Sequence, residues 1–506
     1  MPSDAVPASV TRRLHPWSVL FLLAGGLRQF AVPVVIALVL GSRSGETAWQ
    51  IYALPVLIPY ALVVVVRYLN FNYTFGDGEL VIRSGWFFKN ERHVPYSRIQ
   101  NLDAVQNAVH RLFGVVDVRV DTGSRAEADA ALSVVSWPAY EEMRRRVLDE
   151  RSVARDRAAA DHTILALRRR DLALLGLIEN RAAVLVAAVV GLLWETGMLG
   201  RAVSRLGIDV VGKGVLRRLI VSFFRDGTLP FDDIPRAGAA IVALLILLRI
   251  FSVIWAIVRL HGFRLTLVGA DLRTEYGLLT RVSATVPLHR IQTLTVRRGL
   301  IHRWCDRASV RVETAGGQAA GEAAGPSSRG RESLAPIIKE PELPALLRIV
   351  LPDLSLGEPL WHGPAPGAFR REVRARLVLA LIGALLSAFV LGWWAAAALA
   401  VFVAWSWISA RIYTAHLGWA VIDGAVLFRT GWIWRHLTVA RFSKVQAVSM
   451  TQSPFDRRHR MASVQVDTAG AGDASHRVDI PYLAVETATE LSKQLGTAAA
   501  RTAFRW

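Results

Sequence analysis

The sequence predicts a polytopic α-helical membrane protein carrying three copies of one small α+β module. A recurring motif, paired apolar runs ahead of each copy, and arginines gathered at the ends of those runs carry this expectation. The motif Val94-Pro95-Tyr96-Ser97-Arg98-Ile99-Gln100-Asn101-Leu102 returns as Val286-Pro287-Leu288-His289-Arg290-Ile291-Gln292-Thr293-Leu294. A weaker copy reads Ala440-Arg441-Phe442-Ser443-Lys444-Val445-Gln446-Ala447-Val448. The first two copies are 192 positions apart (286 − 94), the second and third 154 (440 − 286). Both offsets also align Gly85, Gly277 and Gly431, then Arg111, Arg303 and Arg457. They align Val118-x-Val120-x-Thr122 with Val310-x-Val312-x-Thr314 and Val464-x-Val466-x-Thr468. One register held over that stretch in three places marks an internal repeat.

Composition agrees. The chain has 506 residues, enough for several domains, is 53% hydrophobic and carries a formal net charge of +19. Strong basicity points to nucleic acid or an anionic membrane surface. The apolar runs favour membrane lipids as partners and no nucleic acid, since the cations cluster where span ends require them. The single cysteine, Cys305, permits no intrachain disulfide. No cleavable signal peptide is expected, because the first apolar run is long and lacks a small-residue cleavage site.

Taken in order, residues 1–16 form a polar N-terminal tail and 17–67 a transmembrane pair. Each run is near the roughly 20 residues a span needs. Module one, 68–150, alternates as strands do at Val116-x-Val118-x-Val120, with turn chemistry at Gly76-Asp77-Gly78. After Trp137-Pro138 the period lengthens, and Tyr140, Met143 and Val147 share one face of a terminal helix. A charged connector (151–171) leads to a second pair (172–260), whose long loop 195–235 reads as an amphipathic helix lying on the membrane. Module two, 261–350, carries a Gly/Ala/Ser-rich flexible insert at 316–330. A linker (351–376), a third pair (377–410, two short spans or one long helix), module three (411–497) and a C-terminal tail (498–506) complete the chain.

Each pair of spans returns the chain to the side it left, so all three modules share the side of the N-terminus. Arg12-Arg13, Arg67, Arg168-Arg169-Arg170, Arg259 and Arg370-Arg371 flank that side, which the positive-inside rule makes cytoplasmic. Tryptophans near span ends, among them Trp17, Trp49 and Trp194, fit an interfacial belt or packing within the bundle.

The repeated cations Arg98, Arg290 and Lys444, and likewise Arg111, Arg303 and Arg457, are candidate contacts to a partner or a lipid headgroup. An arginine fork matches phosphate oxygens; the competing reading is an arginine pinning a loop carbonyl. Gln100, Gln292 and Gln446 read as amides satisfying backbone groups where a sheet bends. Arg28, Glu179, Arg181 and Arg249 form a candidate intramembrane polar network, since ionisable residues in or beside spans are functional by default. Snorkelling competes with that reading for Arg28 and Arg181.

Pro-x-x-Arg-Ile-Gln (95–100), His-Arg-Leu-Phe-Gly (110–114) and Val-x-Val-x-Thr-Gly (118–123) resemble the bacterial PH-like domain called the membrane-flanked domain, or domain of unknown function 304. The three-copy layout with paired helices is similar to its YdbT-like members. The resemblance implies PH-like modules, each a bent antiparallel sheet closed by a C-terminal helix. It also implies a multi-pass protein of the bacterial plasma membrane and a link to envelope stress or antimicrobial-peptide resistance. Module two departs from the pattern at Trp304-Cys305-Asp306, module three at Arg441 and Arg460.

Phosphate-loop, zinc-protease, Cys-x-x-Cys and Gly-x-Ser-x-Gly signatures are lacking, and the 12 histidines are scattered. The expectation is a non-enzymatic scaffold with no cofactor and no metal, whose modules bind protein partners or lipid headgroups at the inner leaflet. A transporter or lipid-handling protein using the intramembrane charges is the alternative.

Overall fold

In a computed structural model the described residues are 10–21, 23, 60–76, 78–96, 99, 101–121, 131–153, 162–179, 234–314, 333–354, 357–391, 395–468 and 478–501. They divide into two compact units. Unit one is 1–163 with 258–286, and unit two is 164–257 with 287–506, so the division cuts module two at its repeated motif.

In unit one, β1 (Val10–Arg13), β2 (Asn72–Phe75), β3 (Glu79–Ser84) and β4 (Asn90–Pro95) form one antiparallel sheet in that order. After the motif come β5 (Asn101–Asn107), α1 (Ala108–Leu112), β6 (Val115–Asp121), β7 (Ala131–Ser136) and α2 (Trp137–Val153). Leu80, Ile82 and Val94 from the first sheet share one core with Val116, Val118 and Val135 from the second and with Tyr140 and Met143 of α2. The period-2 face and the helical face therefore meet as the patterning requires. The tail was expected to lie outside the module, but β1 pairs with β2, and Arg12 bonds Glu142 of α2 at 2.8 Å.

Strand β8 (His162–Ala166) and α3 (Arg169–Ile178) precede α4 (Ile234–Arg259). Module two continues with β9 (Arg264–Val268), β10 (Asp271–Tyr276) and β11 (Thr280–Pro287). Within unit one the second sheet runs β7-β6-β5-β11-β10-β9: the second half of module one and the first half of module two are one sheet.

Unit two repeats the plan. A 3-10 turn at Leu288–Arg290 leads into β12 (Ile291–Arg298), α5 (Leu300–Trp304), β13 (Arg307–Thr314), β14 (Ser333–Lys339) and α6 (Leu343–Val350). Two helices, α7 (Ala368–Leu391) and α8 (Ala395–His416), occupy the third apolar block, so that block is a pair and not one long helix. Module three follows with β15 (Gly418–Ile422), β16 (Ala425–Thr430), β17 (Arg435–Arg441), β18 (Val445–Thr451), α9 (Pro454–Arg458), β19 (Met461–Thr468), β20 (Val478–Ala484) and α10 (Val485–Arg501). One sheet runs β14-β13-β12-β17-β16-β15 and another β18-β19-β20.

The expectation of a polytopic α-helical membrane protein is overturned. The described chain is mixed α/β, organised by antiparallel sheets that number four among the described residues, and among those residues no helix is long and apolar enough to cross a membrane. Hydropathy overcounted runs that charge and polarity divide. Helix α3 ends at Ile178 after 10 residues, with 180–194 outside the described residues, α4 carries Arg249 within its apolar run, and α7 opens with Arg370, Arg371, Arg374 and Arg376. Most of the first pair, loop 195–235 and insert 316–330 lie outside the described residues.

Two local rules recur. Gly85, Gly277 and Gly431 all have positive φ (102°, 115° and 83°), and a Cβ there would overlap the carbonyl oxygen three residues on. The aligned positions Gly114, Asp306 and Arg460 are left-handed too (65°, 51° and 51°). Their carbonyls accept from Trp137 N (3.1 Å), Glu340 N (3.0 Å) and Val485 N (3.2 Å), the start of each module's closing segment. The backbone motif thus persists where the glycine does not.

Candidate functional site

In modules two and three the repeated motif forms a 3-10 corner between two strands. In module two Pro287 ends β11, the turn Leu288–Arg290 follows, and Ile291 opens β12. Arg290 and Lys444, at equivalent places in two corners, are both buried (8% and 6% exposed). Burial, then the nearby Arg441 charge, pushes the Lys444 ammonium below its ordinary value. The Gln292 amide donates to the Arg290 carbonyl at 3.2 Å, a backbone role, whereas Gln446 is exposed. Arg98 lies outside the described residues.

Arg111 and Arg303 occupy the same place in α1 and α5 and make the same contact. Arg111 Nη1 donates to the Leu278 carbonyl at 3.1 Å; Arg303 Nη2 donates to the Trp432 carbonyl at 3.2 Å. Each acceptor follows the positive-φ glycine of the next module, Gly277 or Gly431. Each arginine thus ties its module to the turn of the module after it, and a charged donor on a main-chain carbonyl is a strong form of that bond. Arg457 holds the same place in α9 and is exposed; among the described residues its side chain has no hydrogen bond or ion pair.

The strand registers repeat as well. At the first junction β5 opposes β11 with Val105↔Val282 and Gln106↔Arg281. At the second, β12 opposes β17 with Arg297↔His436 and Arg298↔Arg435. Adding the two repeat offsets to the first set yields the second (105 + 192 = 297; 282 + 154 = 436). Trp434 then stands over Gly299, where a Cβ would come within 2.6 Å of its ring.

Arg441, which takes the place of the motif proline, explains its own departure. Its Nη2 donates to the carbonyls of Leu288 (3.1 Å) and Ile291 (2.5 Å), joining the corner of module three to that of module two. Burial lowers its pKa, opposed by Asp353. No local pattern in the sequence signals this contact.

Of the polar network, Arg28 and Arg181 lie outside the described residues. Arg249 Nη1 donates to the Leu177 carbonyl at 2.7 Å, and Ser252 Oγ to the Glu179 carbonyl at 2.7 Å. Both cap the end of α3, whose last carbonyls lack helical partners. Helices α3 and α4 approach closely at Gly176, where a Cβ would lie 2.5 Å from Val253 Cα. Away from that contact, Leu245, Ile246, Leu247, Ile250 and Ile254 of α4 are exposed.

Comparison with known proteins agrees with the repeat. The bacterial PH domain pattern matches three segments, residues 19–151, 215–353 and 376–499. The chain belongs to the bacterial PH domain family. It is 22% identical over 489 residues to the UPF0699 transmembrane protein YdbT of Bacillus subtilis (strain 168), covering 90% of this chain and 92% of that protein. No solved structure matches. Within this bacterial PH domain chain, the matched segments each contain one copy of the motif and one short helix with the repeated arginine in its last turn.

Proposed function

We propose that this bacterial PH domain protein is a non-enzymatic, membrane-associated scaffold that presents its modules to protein partners at the inner face of the bacterial plasma membrane. The use of the repeated cations carries this reading. Arg111 and Arg303 are engaged on carbonyls of the following module, and Arg290 and Lys444 are buried, so these positions build the array. That favours protein docking on the array over headgroup capture by the motif. Membrane association is supported by the exposed aliphatic face of α4, by the net charge of +19 and by the relative whose name describes a transmembrane protein. A cation near an anionic leaflet contributes about 1 kcal/mol of attraction, and exposed apolar area of this kind marks a membrane or partner surface.

The test is fractionation of cells expressing the full chain, with the membranes washed in high salt and then alkaline carbonate. Retention in the pellet after both washes supports the reading. Release by salt alone still supports association at the membrane surface, and recovery in the soluble fraction before any wash contradicts the reading.

A further inference from the structure

We propose that the chain assembles head to tail: β18 of one copy adds to β4 of a second copy, in the register that the chain already uses at both of its internal junctions. Strand β5 meets β11 and β12 meets β17, in each case the strand just after the motif in one module against the strand just before the motif in the next. Two strands of the same kind remain. Among the described residues β18 pairs only with β19 and β4 only with β3, so each is a sheet edge.

Their side chains show the difference. Strand β12, flanked on both sides, is largely buried from Ile291 to Val296; in the equivalent β18, Gln446, Ala447, Ser449, Met450 and Thr451 are exposed. The rest of the junction is present in halves. Arg457 is placed as Arg111 and Arg303 are, and the carbonyl of Trp86, one residue after the positive-φ Gly85, is placed as those of Leu278 and Trp432 are. Trp86, Phe87 and Phe88 on that turn are 70%, 80% and 83% exposed, whereas Trp434, at the place of Phe88, stands over Gly299 and is 49% exposed. A sheet edge presents a row of unpaired backbone groups that can pair with another strand. The occupant is a second copy because β4 continues, residue for residue, the interface made twice within the chain. The register that follows sets Met450 opposite Glu91 and Thr451 opposite Asn90 (104 + 346 = 450; 283 − 192 = 91). Such a contact is heterologous, so it closes into a ring or runs on as a filament.

The experiment uses two differently tagged full-length copies co-expressed in a Cys305→Ser background, one carrying Glu91→Cys and the other Met450→Cys. Mild oxidation of the cells is expected to give a disulfide-linked pair bearing both tags. Its yield should exceed by about tenfold that of a control pairing Glu91→Cys with Gln446→Cys, because four residues along a strand is about 13 Å. Asn90→Cys with Thr451→Cys should behave as the first pair does, and adding Arg457→Ala should lower the yield several-fold. Equal yields in matched and control pairs, no mixed-tag product from either matched pair, or a cross-link formed only within a copy carrying both cysteines would overturn the proposal.

Discussion

Arg303 Nη2 lies 3.2 Å from the carbonyl oxygen of Trp432, a contact across 129 residues that Arg111 and Leu278 reproduce at 3.1 Å. The bond is partly buried at the second junction and exposed at the first. Arg303→Ala is therefore expected to cost about 1–2 kcal/mol, and Arg111→Ala less, since water replaces its bond. Thermal unfolding of the solubilised full-length variants checks the order; equal effects would show that the two contacts are not equivalent.

Arg441 sits at φ −77°, ψ 138°, close to Pro287 at −64°, 129°. Proline fits that backbone, so Arg441→Pro removes the two carbonyl bonds while keeping the corner's angles. The expected loss is about 2–3 kcal/mol, seen as faster limited proteolysis in unit two with the sheet spectrum retained. Unchanged resistance would mean that the guanidinium contributes nothing at the corner.

His436 makes the second junction pH-sensitive. Burial, then the charges of Arg297 and Arg311, pushes its pKa down to about 4, and its Nδ1 accepts from Arg297 Nε at 3.2 Å. The folded state disfavours the protonated ring. The stability is full above the ordinary histidine value of 6.5, falls as pH drops from there toward 4, and levels off below. The contribution is on the order of 2 kcal/mol after allowance for screening. His436→Gln should flatten the melting temperature between pH 6.5 and 4; an unaltered pH profile would exclude the histidine as its source.

Arg460 holds a left-handed conformation (φ 51°) where module one has Gly114. Arg460→Gly should stabilise the protein by about 1 kcal/mol, because a Cβ in that region costs 1–2. Asp306→Gly should gain less, since aspartate tolerates the region better. Denaturant midpoints decide between these outcomes and a loss on substitution.

Much of the module was legible because its signals are local. The offsets placed the corners, the glycines announced positive-φ turns, and Tyr140 with Met143 marked the core face of α2. The joining of modules was not, because pairing β12 with β17 leaves no mark that short-range periodicity can detect. Strand β1 was hidden for a different reason: Arg12 and Arg13 read as a membrane flank, while Arg12 in fact pairs with Glu142. The apolar runs misled because hydropathy does not see the serine and arginine bonds that cap α3 from α4.

The central claim is that successive bacterial PH modules in this chain are joined strand to strand at two equivalent junctions. Amide hydrogen exchange over 101–107 with 280–287 and over 291–298 with 435–441, compared with 445–451, tests it most directly. Slow exchange along the whole of β5 and β12, with β18 exchanging faster in dilute protein, is the predicted result. Exchange in β5 and β12 as rapid as in dilute β18 would contradict it.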